Sequence, residues 1–191
     1  MLAARQDAAL AATGKASFDL HMVPKPTLDG LPAGSVLIQT KAASICGSDL
    51  YGSGQICGCE WRKPIDYLVT KQHCVGGSGH EVIGSVVQAV EPCGLKVGDP
   101  VLAMVPSYIS AVASVRAVFE ERTGVAASVL PNQGAFAPFF VSHEVACVPL
   151  PRAPPRLPTF DPLHYCAAQP LGTPLHAVSK LGSVVGKSVA V

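Results

Sequence analysis

The chain has 191 residues, 49% of them hydrophobic and 14% charged, with a formal net charge of +1. That length is enough to bury one good core. The near-neutral balance, with no run of Lys or Arg, excludes the electrostatic footprint that a nucleic acid or an anionic membrane surface would need, so a small-molecule ligand is expected instead.

In chain order, the opening stretch MLAARQDAALAATGKASFD lacks the sustained apolar core of a signal peptide and carries Arg5, Asp7 and Lys15 early. This argues against secretion and for the cytoplasm, with an organelle transit peptide still open. Seven cysteines, an odd number, fit a reducing compartment with free or metal-bound thiols better than a disulfide framework. After the turn-forming Leu31-Pro32-Ala33-Gly34, the β-branched and apolar run from Ser35 to Ala42 predicts a strand. A second strand is predicted from Glu81 to Val90, alternating around Gly84, and Val97-Gly98-Asp99-Pro100-Val101 marks a tight turn into a third. Gly79, Gly84 and Gly98 read most simply as turn and bulge residues that accept positive φ.

The most apolar window, Val101 to Phe119, is interrupted by Pro106, three serines and Arg116, so it fails as a membrane span. Ser107 to Arg122 has helix-compatible composition, and Pro131-Asn132-Gln133-Gly134 closes it as a loop. His143 and Cys147 lie in a strand-like run. Pro149 to Pro158 cannot sustain a helix or a central strand and reads as an extended connector into a helix from about Tyr165 to Leu181, which contains His176. Structural roles are expected for His143, Cys147 and His176. Short strands punctuated by 18 Gly and 17 Pro make the fold mainly β with some α.

Chemistry concentrates where the first two strands end and begin. Cys46-Gly47-Ser48-Asp49 follows one strand and Gly79-His80-Glu81 opens the next. A thiolate, an imidazole and a carboxylate are the donors that hold an open zinc site. Each residue also has a plainer reading. A single cysteine is often a small buried hydrophobe, and a single histidine is often hydrogen-bonded structure. Ser48 and Asp49 both favour helix caps. Glu81 could serve as a buried ion-pair partner, and Gln169 as a hydrogen-bonder at a helix start. Between Cys46 and His80 lie 33 residues that include Cys57, Cys59, Trp61, His73 and Cys74. Cys-x-Cys followed by His-Cys could take a second metal, but the spacing matches no zinc motif, and a loop carrying free thiols is the simpler reading.

The segments KAASICGSDLY, GHEVIGSVVQAVEPCGLKVGDPVLAMVP, GAFAPFFVSHEVACVPLP and AAQPLGTPLHAVSKLGSVVGKSVAV occur in the order seen in zinc-dependent medium-chain dehydrogenases. Over about residues 30 to 191 the chain therefore resembles the catalytic half of an alcohol, sorbitol or threonine dehydrogenase. The resemblance implies a GroES-like, partly open β-barrel catalytic domain over residues 30–184, preceded by an N-terminal segment, 1–29. Residues 185–191 would be the first strand of a Rossmann cofactor domain, whose G-x-G-x-x-G fingerprint is expected immediately afterwards and is absent from the 191 residues.

In the family's pattern Cys46 and His80 ligate one catalytic zinc, and Glu81 ligates directly or sits just behind the metal. The fourth family position, in an E-P-L or similar motif, here reads Gln169-Pro170-Leu171, a neutral and weaker donor. Ser48 would touch the substrate oxygen and relay its proton, and Asp49 would fix the tautomer of His80. Tyr51 stands where some relatives continue the relay with a histidine. The lobe that often binds structural zinc contains no cysteine here, so no structural zinc is expected.

The implied function is oxidation of a small alcohol or polyol with hydride transfer to NAD or NADP, nearer the sorbitol and threonine branch than classical alcohol dehydrogenases. Without a cofactor domain, turnover by these residues alone is not expected. Possible homo-oligomerisation is also implied, because a terminal strand and helix lacking their cover would expose an edge and apolar surface. The alternative is a non-catalytic zinc-binding GroES-like module or truncated pseudoenzyme. A zinc-free reductase of the same superfamily is disfavoured by Cys46 together with His80.

Overall fold

The computed structural model describes residues 1–6, 18–46, 79–131, 133–151 and 162–181. Its centre is an antiparallel sheet of five strands in the order β6-β3-β4-β5-β7. The strands are β3 (Ser35–Ser44), β4 (Glu81–Ala89), β5 (Pro100–Ala103), β6 (Phe139–His143) and β7 (Cys147–Pro149). The predicted first strand extends two residues past Ala42, and the second ends one residue short of Val90.

Both faces of the central strands are buried, which is why SVLI and EVI read as nearly continuous apolar runs instead of clean alternation. Val36 and Ile38 point into one core with Val82, Val86, Val101 and Phe140. Leu37, between them, points the other way and packs with Ile109, Phe119 and Val141. Neighbouring residues thus serve opposite faces, as the two-residue period of a strand requires. Fully burying a side chain such as Phe140 contributes about 1.5–3 kcal/mol. The register of β3 on β4 shifts between Leu37 and Ile38 and again between Thr40 and Ala42, irregularities that add local twist.

The second face is covered by two helices where the sequence predicted one. α1 (Pro106–Ala111) and α2 (Ala113–Thr123) are separated at Val112, which adopts φ −88° and ψ 106°. Pro106 opens α1, where its missing N–H costs nothing. α2 closes on Gly124 in the left-handed region, with the Gly124 N–H bonded to the Glu120 carbonyl. The predicted loop that follows is tied down by Gln133, whose buried side-chain oxygen accepts from the Val141 N–H at 2.9 Å.

The predicted turn before β5 is formed by paired backbone bonds, with the Gly98 N–H to the Val86 carbonyl and the Val86 N–H to the Asp99 carbonyl. Gly84 departs from expectation. Its φ is not positive, and glycine is needed there because a Cβ would fall 2.3 Å from Ile38 Cγ2 and 2.5 Å from the Gln39 carbonyl oxygen. The helix predicted from Tyr165 starts as a 3-10 turn, Pro162–Ala167, and continues as α3 (Ala168–Leu181).

The N-terminal segment supplies a second, two-stranded sheet that the sequence does not predict. β1 (Leu2–Gln6) and β2 (Phe18–Met22) pair antiparallel, with Leu2 opposite Met22. The Ala4 N–H bonds to the Phe136 carbonyl at 2.9 Å, attaching this ribbon to the loop before β6. No helix among the described residues is long and apolar enough to cross a membrane. The expected connector from Pro149 and the expected cofactor-domain strand at 185–191 fall largely or wholly outside the described residues.

Candidate metal centre

Strand pairing assembles the site. Ser44, the last residue of β3, lies directly opposite Glu81, the first of β4. Cys46 is two residues beyond one strand end and His80 one residue before the other, so register alone brings together groups far apart in sequence. One donor atom each from Cys46, His80 and Glu81 all lie within 4.8 Å of one another. Zinc bonds of about 2.0–2.3 Å in a tetrahedron set ligands about 3.5 Å apart, so the three donors need to move by no more than about an ångström to share an ion. A soft thiolate, a neutral imidazole and a carboxylate also fit zinc in kind. His80 and Glu81 are each only 6% exposed, whereas Cys46 is partly exposed, which leaves the site an open side.

Gly79 sets the approach to His80. It adopts φ +38°, and a Cβ there would sit 2.8 Å from the Phe136 backbone nitrogen and 2.9 Å from its ring. Its carbonyl accepts from the Ala135 N–H at 3.1 Å, so the residue before the imidazole is held against the segment at Ala135 and Phe136. Glycine is required by both conformation and space.

Three residues near the triad are not singled out by the sequence. Tyr108, on α1, stacks on His80 with ring centroids 5.1 Å apart and planes inclined by 12°. Burial, and after it the charge of Cys46, push the Tyr108 phenol above its ordinary value, so it stays a neutral donor at physiological pH. Nothing local in PSYIS announces this, because the placement depends on where α1 lands. Cys166, in the 3-10 turn that packs against β3 and β4, is buried. Burial raises its thiol pKa, a hydrogen bond with the Ile83 backbone opposes that, and the charge of Glu81 adds to it. Ser44 donates a hydrogen bond to Glu81 Oε2 at 2.5 Å. That contact is legible in principle, since Ser44 precedes Cys46 by two residues and thus shares its side of the extended chain.

Of the other predicted site residues, Gln169 is partly buried at the second position of α3, three residues after Cys166. Ser48 and Asp49 lie outside the described residues, as do Tyr51, Cys57, Cys59, His73 and Cys74. The structural role expected for His143 has a clear basis. Its Nε2 donates to the Ala33 carbonyl at 3.0 Å while Nδ1 accepts from the Val145 N–H at 3.3 Å, and Phe119 meets its ring edge-on. Both nitrogens are used by the neutral tautomer, and burial holds the pKa below the usual imidazole value. Cys147 is buried in the first core with its thiol pushed up to about 12, chiefly by desolvation. His176 is exposed on α3, so it takes no part in the core. A shallow apolar cavity of about 330 Å³ between α1, α2 and the turn after β6 is lined by Met104, Ile109, Val115, Phe119 and Arg122 among others, and contains none of the three clustered donors.

The family model for the alcohol dehydrogenase GroES-like domain matches residues 32–152. No curated protein matches the chain in sequence. Among solved structures, a putative zinc-binding dehydrogenase from Clostridium scindens superposes with a TM-score of 0.58 at 21% identity, covering 93% of this chain and 46% of that one. A putative zinc-binding dehydrogenase from Sinorhizobium meliloti, bound to NADP, gives 0.52 at 20% identity over 94% of this chain and 45% of that one. An oxidoreductase/dehydrogenase of unknown specificity from Escherichia coli gives 0.52 at 20%, covering 94% and 47%. At these identities the likeness establishes the fold, and the chain spans less than half the length of each.

Proposed function

Given that the chain belongs to the alcohol dehydrogenase GroES-like domain family, we propose that it is the catalytic part of a zinc-dependent, NAD(P)-linked dehydrogenase of small alcohols or polyols. One observation carries this reading: the donor atoms of Cys46, His80 and Glu81 converge within 4.8 Å at the paired ends of β3 and β4. These three residues would hold a single zinc, with Gln169 as a weak fourth donor or leaving that position to water. Bound there, zinc would supply Lewis-acid polarisation of the substrate oxygen. Ser48 would hold and pass on the substrate hydroxyl proton, and Asp49 would accept the second ring N–H of His80 and fix its tautomer. Tyr108, packed on the face of His80, would restrict the ring's orientation and exclude water from that side.

Hydride transfer also needs a nicotinamide held against the substrate, and the G-x-G-x-x-G cradle is not within the 191 residues. The dinucleotide would be held by a cofactor domain beginning near residue 185. The reading is tested by elemental analysis of purified wild type, Cys46→Ser and His80→Ala. About one zinc per wild-type chain, lost from both folded variants, is expected. A folded wild type without zinc would overturn it.

A further inference from the structure

We propose that Ser44 is a positioning residue for the metal centre, holding Glu81 so that one carboxylate oxygen is committed to the protein and the other is kept for the ion. The inference rests on the reading of Cys46, His80 and Glu81 as a zinc site. Its own basis is the 2.5 Å hydrogen bond from Ser44 Oγ to Glu81 Oε2, which no metal-site argument requires.

The two residues are directly opposed across β3 and β4, so the contact is set by backbone register and not by chance encounter of long side chains. Glu81 is buried, and the polar oxygens of a buried side chain need hydrogen-bond partners to be held in place. The hydroxyl meets that need at Oε2 and leaves Oε1 as the oxygen it does not engage. Ile45, between Ser44 and Cys46, is 66% exposed, so the alternation that turns Ile45 outward puts Ser44 and Cys46 on the same side. One short segment thereby contributes a proposed ligand and the support for another. Outer partners of this kind fix ligand orientation, and their removal typically weakens metal binding by about 10–100-fold.

The test measures zinc affinity of the 191-residue chain by competition with a chromophoric chelator, with the visible spectrum of the cobalt(II)-loaded protein as a reporter of ligand geometry. Ser44→Ala is expected to bind zinc about 10–100-fold more weakly and to alter the cobalt spectrum. Ser44→Thr, which keeps the hydroxyl on a strand-compatible residue, is expected to restore both. In a Glu81→Ala background, where the proposed target is gone, Ser44→Ala is expected to have no further effect. Metal-free proteins compared by urea unfolding separate this from loss of fold, since a merely structural role would lower affinity in both backgrounds. Wild-type affinity in Ser44→Ala, or an equal loss with and without Glu81, would overturn the role assigned to Ser44 while leaving the zinc site intact. A wild type that binds neither ion would overturn the site and this inference together.

Discussion

Replacing Gly79 by alanine probes how the fold holds the imidazole of the candidate site. Two costs add at this position. An L-residue at φ +38° pays about 1–2 kcal/mol for a left-handed conformation. The new Cβ also meets the Phe136 backbone nitrogen at 2.8 Å and its ring at 2.9 Å, where the backbone cannot swing away, and overpacking of this type costs about 1–3 kcal/mol. The expected total is about 2–5 kcal/mol. Gly124 is the matched control, because it has φ +66° and an added Cβ would meet nothing within 4 Å, so only the conformational cost of about 1–2 kcal/mol applies. Urea unfolding of wild type, Gly79→Ala and Gly124→Ala measures the difference as a shift in midpoint at constant m. Equal destabilisation of the two variants would refute the claim that close approach to Phe136 constrains the residue before His80.

Other outcomes follow from the same geometry. His143 is held neutral in the folded state, so the unfolded chain binds the extra proton first. The stability it contributes is present above about pH 6.5 and is lost as pH falls through the window between that unfolded value and the lower folded one. His143→Gln should therefore show a shallower loss of urea midpoint between about pH 7.5 and 5.5 than wild type, and identical slopes would contradict the assignment. Cys147, with a thiol near 12 inside the first core, should resist iodoacetamide at about pH 8 in the folded chain and react in urea, as read by peptide mass spectrometry. Leu171, Leu175, Val178 and Leu181 recur along one side of α3 and are all exposed, so the chain should self-associate in static light scattering, and Leu175→Glu should reduce this. A clean monomer at high concentration would contradict it.

The parts of the fold legible in the sequence are those where local pattern and tertiary burial agree. Ser35 to Ala42 and the stretch from Glu81 carry β-branched runs that both faces of the sheet then bury, and their strands appear within two residues of expectation. The single helix expected over 107–122 is two, because Val112 takes an extended conformation between two helices packed on the sheet. β2 escapes prediction although Phe18, Leu20 and Met22 alternate with polar residues, because its partner β1 is a short and featureless LAARQ. Gly84 reads locally as a residue needing conformational freedom, while its real constraint is the close passage of β3, which depends on pairing and cannot be seen in the sequence around it.

The triad itself is legible because its donors sit in two recognisable motifs, Cys46-Gly47-Ser48-Asp49 and Gly79-His80-Glu81, and the structure brings Cys46, His80 and Glu81 within reach of one ion. Two of the side chains around them are not. Tyr108 arrives from α1 and Cys166 from the turn before α3, both placed by packing over long sequence distances.

The most direct measurement is X-ray absorption at the zinc edge of the zinc-loaded chain. One sulfur scatterer at about 2.3 Å with nitrogen and oxygen neighbours at about 2.0–2.2 Å is expected, the sulfur disappearing in Cys46→Ser. A shell with no sulfur, or with two or more, would contradict a centre built from Cys46, His80 and Glu81.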